Sequence, residues 1–162
     1  MKFIDSHHDL WHRVSGEDGP KPDPDPQRDR LLTIEQWHAV RGHWPVGLNT
    51  GLALPNTADV VLLAADLPKL ALIVLDFPKW TDGRAYSQAR LLRSRLGYRG
   101  ELRASGEVLV DMLPLLQRTG FDAARLRADQ GEAAARRALG IFAGHYQADT
   151  LAPLPLFARQ TA

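Results

Sequence analysis

Apolar runs alternate with polar turns and helix-period segments along the middle of the chain. Residues 70–75 are six consecutive apolar positions, a pattern typical of a parallel strand that is covered on both faces. Pro78 and a polar turn end this run, and residues 83–96 then repeat apolar positions at helical spacing. The same strand–helix alternation continues, with further elements predicted at 101–105, 108–118, 121–126 and 130–146.

Weaker signals predict the same alternation before residue 70. A short strand is expected at 31–33, followed by a helix that Thr33 caps, with Gln36 at the third position of a capping box. A strand at 46–49 and a helix that begins at Asn56 or Thr57 and ends at Pro68 come next.

Counted from residue 46, the pattern gives four strand–helix units, half the number in a closed (βα)₈ barrel. We therefore predict an α/β fold of parallel strand–helix repeats, either a half-barrel or a small open parallel sheet. Its edge strands would need a cover, from the amino-terminal segment or from a second copy in a homodimer.

The two ends of the chain differ from this repeating part. Residues 1–30 are predicted to hold a short strand at 2–4 and a proline-rich loop at 15–29 that cannot pair as a strand. The α/β domain is expected at 31–147, and residues 148–162 are expected to form a loosely ordered tail.

Composition excludes several classes of protein. The chain of 162 residues has no cysteine, which excludes disulfide frameworks, thiolate metal sites and cysteine-ligated iron–sulfur clusters, and which fits a reducing cytoplasm. No signal segment and no long apolar span are recognised, so a soluble cytoplasmic protein without membrane contact is expected.

Charge is nearly balanced overall but unevenly distributed. Residues 1–80 carry 8 basic and 11 acidic side chains, whereas residues 81–162 carry 12 basic side chains, all arginine, and 8 acidic ones. Arginine suits sulfate, phosphate or carboxylate groups. Arg84 and Arg103 are expected either to meet around a shared anion or to pair with acids such as Asp82 or Asp111. The aromatic residues do not interleave with a basic face, so nucleic-acid binding is not expected.

Polar and aromatic side chains cluster directly after the strand at 70–75. Because loops at the carboxyl ends of parallel strands carry the chemistry in such folds, this loop is the candidate site. It combines a stacking surface, a carboxylate and a cation in Trp80, Asp82, Arg84, Tyr86 and Ser87. The local alternative is that Asp82 only caps the following helix.

Common cofactor and metal patterns are missing. The chain has no G-x-G-x-x-G turn, no phosphate-binding loop ending in Gly-Lys-Ser/Thr, no H-E-x-x-H and no serine elbow, so no cofactor is expected. His7, His8 and His12 are close in sequence, but no further ligand is placed near them. They are interpreted as surface histidines, and no metal site is expected.

A dense set of motifs lies between residues 70 and 123. It comprises Phe77-Pro78, Asp82-Gly83-Arg84, Tyr86-Ser87, residues 89–93, Gly97-Tyr98, residues 100–104, Gly106, Asp111 and residues 120–123. In these motifs the chain resembles a bacterial family of unknown function. Its members are commonly labelled as oxidoreductases of sulfite reduction, because their genes lie beside those for sulfite reductase and the reductase of activated sulfate. The label rests on gene neighbourhood, so the resemblance implies a pathway rather than a reaction.

The chain departs from the family pattern at several positions. Thr119 stands where many relatives have a cysteine, so a thiol mechanism is excluded here. Trp80 stands in place of the more usual Phe, and Ser105 in place of Val.

Two functions follow as hypotheses. In the first, the chain is a non-enzymatic accessory of assimilatory sulfite reduction that binds the reductase, another enzyme of sulfur assimilation, or an anionic intermediate, through residues 80–87, Arg103 and Asp111. In the alternative, it is a half-barrel enzyme in which Asp82 or Asp111 handles protons while Arg84 and Arg103 hold a sulfur oxyanion or a phosphate.

Overall fold

The computed structural model describes residues 1–5, 8–16, 19–141, 146–150, 152, 154, 155 and 158. The strands are β1 (Lys2–Phe3), β2 (His12–Arg13), β3 (Ser15–Gly16), β4 (Gly19–Pro20), β5 (Arg30–Thr33), β6 (Thr50–Leu54), β7 (Leu72–Phe77), β8 (Glu101–Gly106) and β9 (Ala123–Ala124). The α-helices are α1 (Ile34–Val40), α2 (Arg84–Arg90), α3 (Leu113–Thr119) and α4 (Glu132–Gly140). Short 3₁₀ turns lie at Val60–Leu63, Leu67–Lys69 and Val110–Met112, and a π-helical turn at Leu91–Arg95 continues α2.

Seven of the described strands form one parallel sheet in the order β1-β9-β8-β7-β6-β5-β2. The sheet curls into a half-barrel flanked by helices, which confirms the predicted α/β class. The central pair, β7 and β8, is the longest, with Leu72 opposite Glu101 and Phe77 opposite Gly106.

The two faces of the sheet bury different residues. Ile73, Leu75 and Phe77 of β7 face the helices and belong to the main core, together with Ala85 and Leu92 from α2 and its extension. Because side chains alternate along a strand, the intervening residues Leu72 and Val74 face the other side, where they pack with Leu31. We call this second side the open face.

The amino-terminal segment crosses the open face. The chain leaves β1 at one edge of the sheet and enters β2 at the opposite edge. On the way, Asp9 pairs with Arg103 of β8, and Trp11 packs on Leu31, Leu72 and Val74. An added Cβ on Gly51 of β6 would lie 2.9 Å from the Trp11 ring, so only glycine leaves room for it. The amino-terminal segment thus provides cover for the sheet, and the expected homodimer stays a prediction.

Two predicted elements before residue 70 are wrong. The strand expected at 46–49 lies instead at Thr50–Leu54, because Gly47, with φ at +82°, makes a turn and Trp44 Nε1 donates to Thr50 Oγ1 at 2.8 Å. The helix expected to begin at Asn56 or Thr57 is replaced by two 3₁₀ turns. The Asp59 carboxylate caps the first of them by accepting from Val61 N at 2.9 Å.

Other elements are present with shorter bounds. The Thr33–Gln36 capping box is confirmed. The strand expected at 121–126 is limited to Ala123–Ala124, and the helix expected at 108–118 is a 3₁₀ turn followed by α3. The last helix is Glu132–Gly140, and residues 142–145 of its predicted extension lie outside the described residues.

The proline-rich loop is also partly structured. Ser15–Gly16 and Gly19–Pro20 form a small antiparallel pair, so the expectation that this loop cannot pair is wrong at that point. The division into 1–30, 31–147 and 148–162 stays a prediction. None of the helices in the described residues has the length and apolar character needed to cross a bilayer.

Candidate functional site

The loop after β7 carries the predicted site residues, and two of them, Asp82 and Arg84, form an ion pair with each other. The Arg84 guanidinium donates to both oxygens of Asp82, at 3.0 Å from Nε and 2.6 Å from Nη2, and Arg84 N donates to the same carboxylate at 3.2 Å. This bidentate contact holds the pKa of Asp82 well below its usual range. Asp82 therefore stays ionised at neutral pH. The N-cap residue of α2 is Gly83, so the alternative that Asp82 caps this helix is wrong.

The same loop is ordered by its own contacts. Asp82 N donates to Lys79 O at 3.0 Å, and the Tyr86 ring meets the buried Phe77 ring edge-on at 5.1 Å. Burial raises the pKa of Tyr86 to about 12, so its phenol is neutral. Trp80 is 57% exposed, and Ser87 is exposed as well. A rigid loop thus presents an aromatic ring to solvent.

Arg103 lies elsewhere and is fully engaged. It is buried on the open face, where it donates to Asp9 at 2.6 Å and to Glu101 at 2.8 Å. Arg84 and Arg103 therefore pair with different acids and share no partner. Asp111 lies exposed in the 3₁₀ turn Val110–Met112, and its side chain has no hydrogen bond or ion pair with any described residue.

Many residues of the sequence motifs between 70 and 123 contact each other at the amino-terminal ends of β8 and β9. The Arg93 guanidinium donates to the carbonyls of Tyr98, Gly100 and Gly120 at 2.7–2.9 Å and pairs with Asp122. Asp122 in turn accepts from Leu102 N at 2.8 Å. These residues join α2, α3 and the sheet, so their motifs are explained by structure.

A further group of polar side chains lies at the carboxyl end of the open face. Asp76 of β7 and Ser105 of β8 stand opposite each other in register, with Ser105 Oγ 3.3 Å from Asp76 Oδ1. Arg13 of β2 and Arg125 after β9 line the cavities at this place. The sequence prediction missed this group, although a polar Asp76 that ends an apolar strand was a signal for it.

Metal binding has no visible support in the part of the chain that is described. His8 Nδ1 contacts Asp5 at 2.9 Å and His12 is exposed, while His7 lies outside the described residues. No group of three or more potential ligands among His, Asp and Glu side chains is found within the described ranges.

Comparison with known proteins gives a family but no activity. The profile of a family described as "Bacterial protein of unknown function (DUF934)" matches residues 51–157. No curated protein and no protein of solved structure matches the chain. The matched segment begins in β6 and includes the loop after β7 and Arg93 with its partners, while Asp9 and Arg13 lie before it.

Proposed function

The chain belongs to this bacterial family of unknown function, DUF934, and we propose that it is an accessory protein of sulfite reduction which docks on the reductase through residues 79–87. We call this segment the Trp80 loop. The pathway comes from the resemblance to proteins labelled as oxidoreductases of sulfite reduction. The choice of a protein partner for this loop comes from its geometry.

The observation that carries the proposal is the ion pair between Asp82 and Arg84 in the Trp80 loop, which leaves the exposed Lys79 as the loop's one cation without an ion pair to a described residue. A small oxyanion needs a cation with free donors, but the Arg84 fork is taken up by Asp82. Arg103 is likewise occupied by Asp9 and Glu101. Docking of a protein partner does not require an unpaired guanidinium in this loop. Exposed tryptophan and arginine side chains are typical hot spots of protein–protein binding.

The order of the loop also favours docking. Its turn, its ion pair and the contact between Phe77 and Tyr86 fix the backbone on both sides of Trp80. Binding through a pre-ordered loop costs less conformational entropy than binding through a mobile one. One exposed aromatic residue is ordinary on a protein surface, but Trp80 lies within a loop whose backbone is held on both sides, and this position favours docking.

The enzyme alternative is less well supported at its predicted residues. A general acid must hold a proton near neutral pH, whereas the ion pair with Arg84 keeps Asp82 ionised. Asp111 is exposed and has no described partner that would orient it. Both residues stay candidates for proton transfer only as predictions.

The test is calorimetric titration of the purified chain with the sulfite reductase from the same organism. We expect saturable binding, and Trp80→Ala should weaken it by about 30-fold, as hot-spot residues do. Val46→Ala is the matched control, because Val46 is 90% exposed and precedes the amino-terminal end of β6, whereas Trp80 follows the carboxyl end of β7.

Two results would contradict the proposal: no heat of binding with the reductase, or equal affinity for the wild type and Trp80→Ala. Circular dichroism and thermal melting should show that both variants are folded. Sedimentation of the chain alone, in the same preparation, tests the expected homodimer.

A further inference from the structure

Three adjoining cavities, lined by described residues, lie at the carboxyl end of the open face. Their volumes are about 320, 280 and 320 Å³, and Arg13 and Ser105 line all three. Each is about the size of a small-molecule site. The amino-terminal segment covers the other end of this face through Trp11, so these cavities remain open above the floor formed by Val74.

The curl of the sheet brings together two cations that are distant in strand order. Arg13 belongs to β2 at one edge, and Arg125 follows β9 near the other edge. Five strand spacings separate these strands, which in a flat sheet would be roughly 24 Å. Both side chains nevertheless line the same two cavities. The half-barrel shape therefore places Arg13 and Arg125 at the same cavities.

These two arginines differ from the other arginines around them. Arg103 is occupied by Asp9 and Glu101, and Arg127 by Glu107 and Asp129. The side chains of Arg13 and Arg125, by contrast, have no hydrogen bond or ion pair with any other residue that the structure describes. Their forked donors are available for an oxyanion. The Ser105 hydroxyl, which lines the same cavities, donates to Asp76 Oδ1 at 3.3 Å.

The cavity that Arg125 does not line has more carboxylate groups. Besides Arg13 and Ser105 it is lined by the carboxylates of Glu35 and Asp76, by the Thr33 hydroxyl and by the apolar surface of Ile34 and Pro55. Asp76 also lines one of the two cavities that both arginines share. Carboxylates accept hydrogen bonds and repel a second anion. The cavity lined by both arginines without Asp76 thus suits an oxyanion, and the cavity lined by Glu35 and Asp76 suits a body that donates hydrogen bonds.

We propose that the open face binds a small hydroxylated molecule that carries a phosphate or sulfate ester. Arg13 and Arg125 hold the ester group, and Glu35 and Asp76 accept from the hydroxyl groups of the body. This site is separate from the Trp80 loop and does not depend on docking with a reductase.

The experiment is a titration of the full chain with small-molecule probes. Binding is measured by calorimetry and by changes in the ¹⁵N–¹H spectrum of the amides and arginine side chains. The probes are glucose 6-phosphate, glucose 6-sulfate, inorganic phosphate and glucose. We expect one or both esters to bind more tightly than inorganic phosphate, and glucose not to bind. The two esters distinguish a phosphate from a sulfate ligand.

The variants separate the two ends of the site. Arg13→Ala and Arg125→Ala should each weaken ester binding by about tenfold or more, because each removes a forked contact to the anion. Arg137→Ala, which removes an exposed arginine from α4, should change nothing. Asp76→Asn should tighten the binding of inorganic phosphate and reduce the advantage of the ester. Amide spectra report whether each variant is folded.

Three outcomes would overturn the inference. The first is that neither ester binds at millimolar concentration. The second is that binding is unaffected by either arginine substitution, which would mark an adventitious anion contact. The third is that the esters bind no more tightly than inorganic phosphate, which would remove the role of Glu35 and Asp76. If Trp80→Ala loses binding to the reductase, this does not affect any of these three results, because the ester titration does not involve the reductase.

Discussion

At the scale of single residues, the arginines of this protein fall into two groups, those whose guanidinium is paired and those whose guanidinium is unpaired within the described ranges. Arg93 donates hydrogen bonds to backbone carbonyls, Arg103 donates to carboxylates, and Arg84 is paired with Asp82. Arg13 and Arg125 have no such partner within the described ranges. An arginine-rich sequence therefore indicates anion binding only where the fold leaves the guanidinium unpaired.

Arg93→Ala should lower the free energy of unfolding by about 2–4 kcal/mol, because charge-assisted hydrogen bonds to the carbonyls of Tyr98, Gly100 and Gly120 are lost together. Arg93→Lys should recover little of this loss, since an ammonium group cannot reach all of these acceptors. Urea unfolding measures the change. Arg95→Ala, an exposed neighbour, should stay within about 0.5 kcal/mol of the wild type. Equal effects at Arg93 and Arg95 would contradict the structural role.

At the scale of elements, the crossing of the amino-terminal segment over the open face fixes what remains accessible. Its contacts are the ion pair of Asp9 with Arg103 and the packing of Trp11 over Gly51. A parallel sheet normally has both faces covered. Here the segment covers one end of the open face and leaves the carboxyl end, with Asp76 and Ser105, free for a ligand.

Gly51→Ala should destabilise the protein by about 1–3 kcal/mol, because the added Cβ would meet the Trp11 ring at 2.9 Å. In a Trp11→Ala background the same substitution should cost much less, since only the flexible end of Leu31 then lies close, at 3.1 Å. A double-mutant cycle by urea unfolding measures this coupling. Additive effects of the two substitutions would show that Trp11 does not pack on β6 in solution.

At the scale of the whole molecule, the sheet is strong at its centre and weak at its edges. Strands β7 and β8 pair over six residues, and their helix-facing side chains are fully buried. The edge strands β1 and β2 pair over only two residues each. Very short edge strands limit pairing with other chains.

Hydrogen exchange should follow this gradient. The amides of Ile73, Leu75, Leu102 and Ala104 should exchange most slowly, near the rate set by global unfolding, and those of β1 and β2 should exchange fastest. Mass spectrometry of peptic fragments, or amide spectra over time, measures these rates. Protection of β2 equal to that of β7 would show that the amino-terminal segment is bound more firmly than its contacts indicate.

The sequence predicted the candidate site only in part, for reasons visible at particular residues. It placed Trp80, Asp82 and Arg84 in one loop after β7, because they are close along the chain. It left open whether Arg84 and Arg103 meet around a shared anion or pair with acids, and the structure pairs Arg84 with Asp82 and Arg103 with Asp9 and Glu101. It missed Arg13 and Arg125, since 111 positions separate them and no local pattern connects them.

By itself, the sequence determined the α/β class, a buried strand, which was predicted at 70–75 and lies at Leu72–Phe77, the helix after it and the capping box at Thr33. Apolar runs, helical periodicity and caps act over a few residues and can be seen in the chain. Only the tertiary structure decided the crossing of the amino-terminal segment, the partner of each arginine and the meeting of β2 and β9 residues at one site. These features depend on the curl of the sheet, which brings together residues that are distant in sequence.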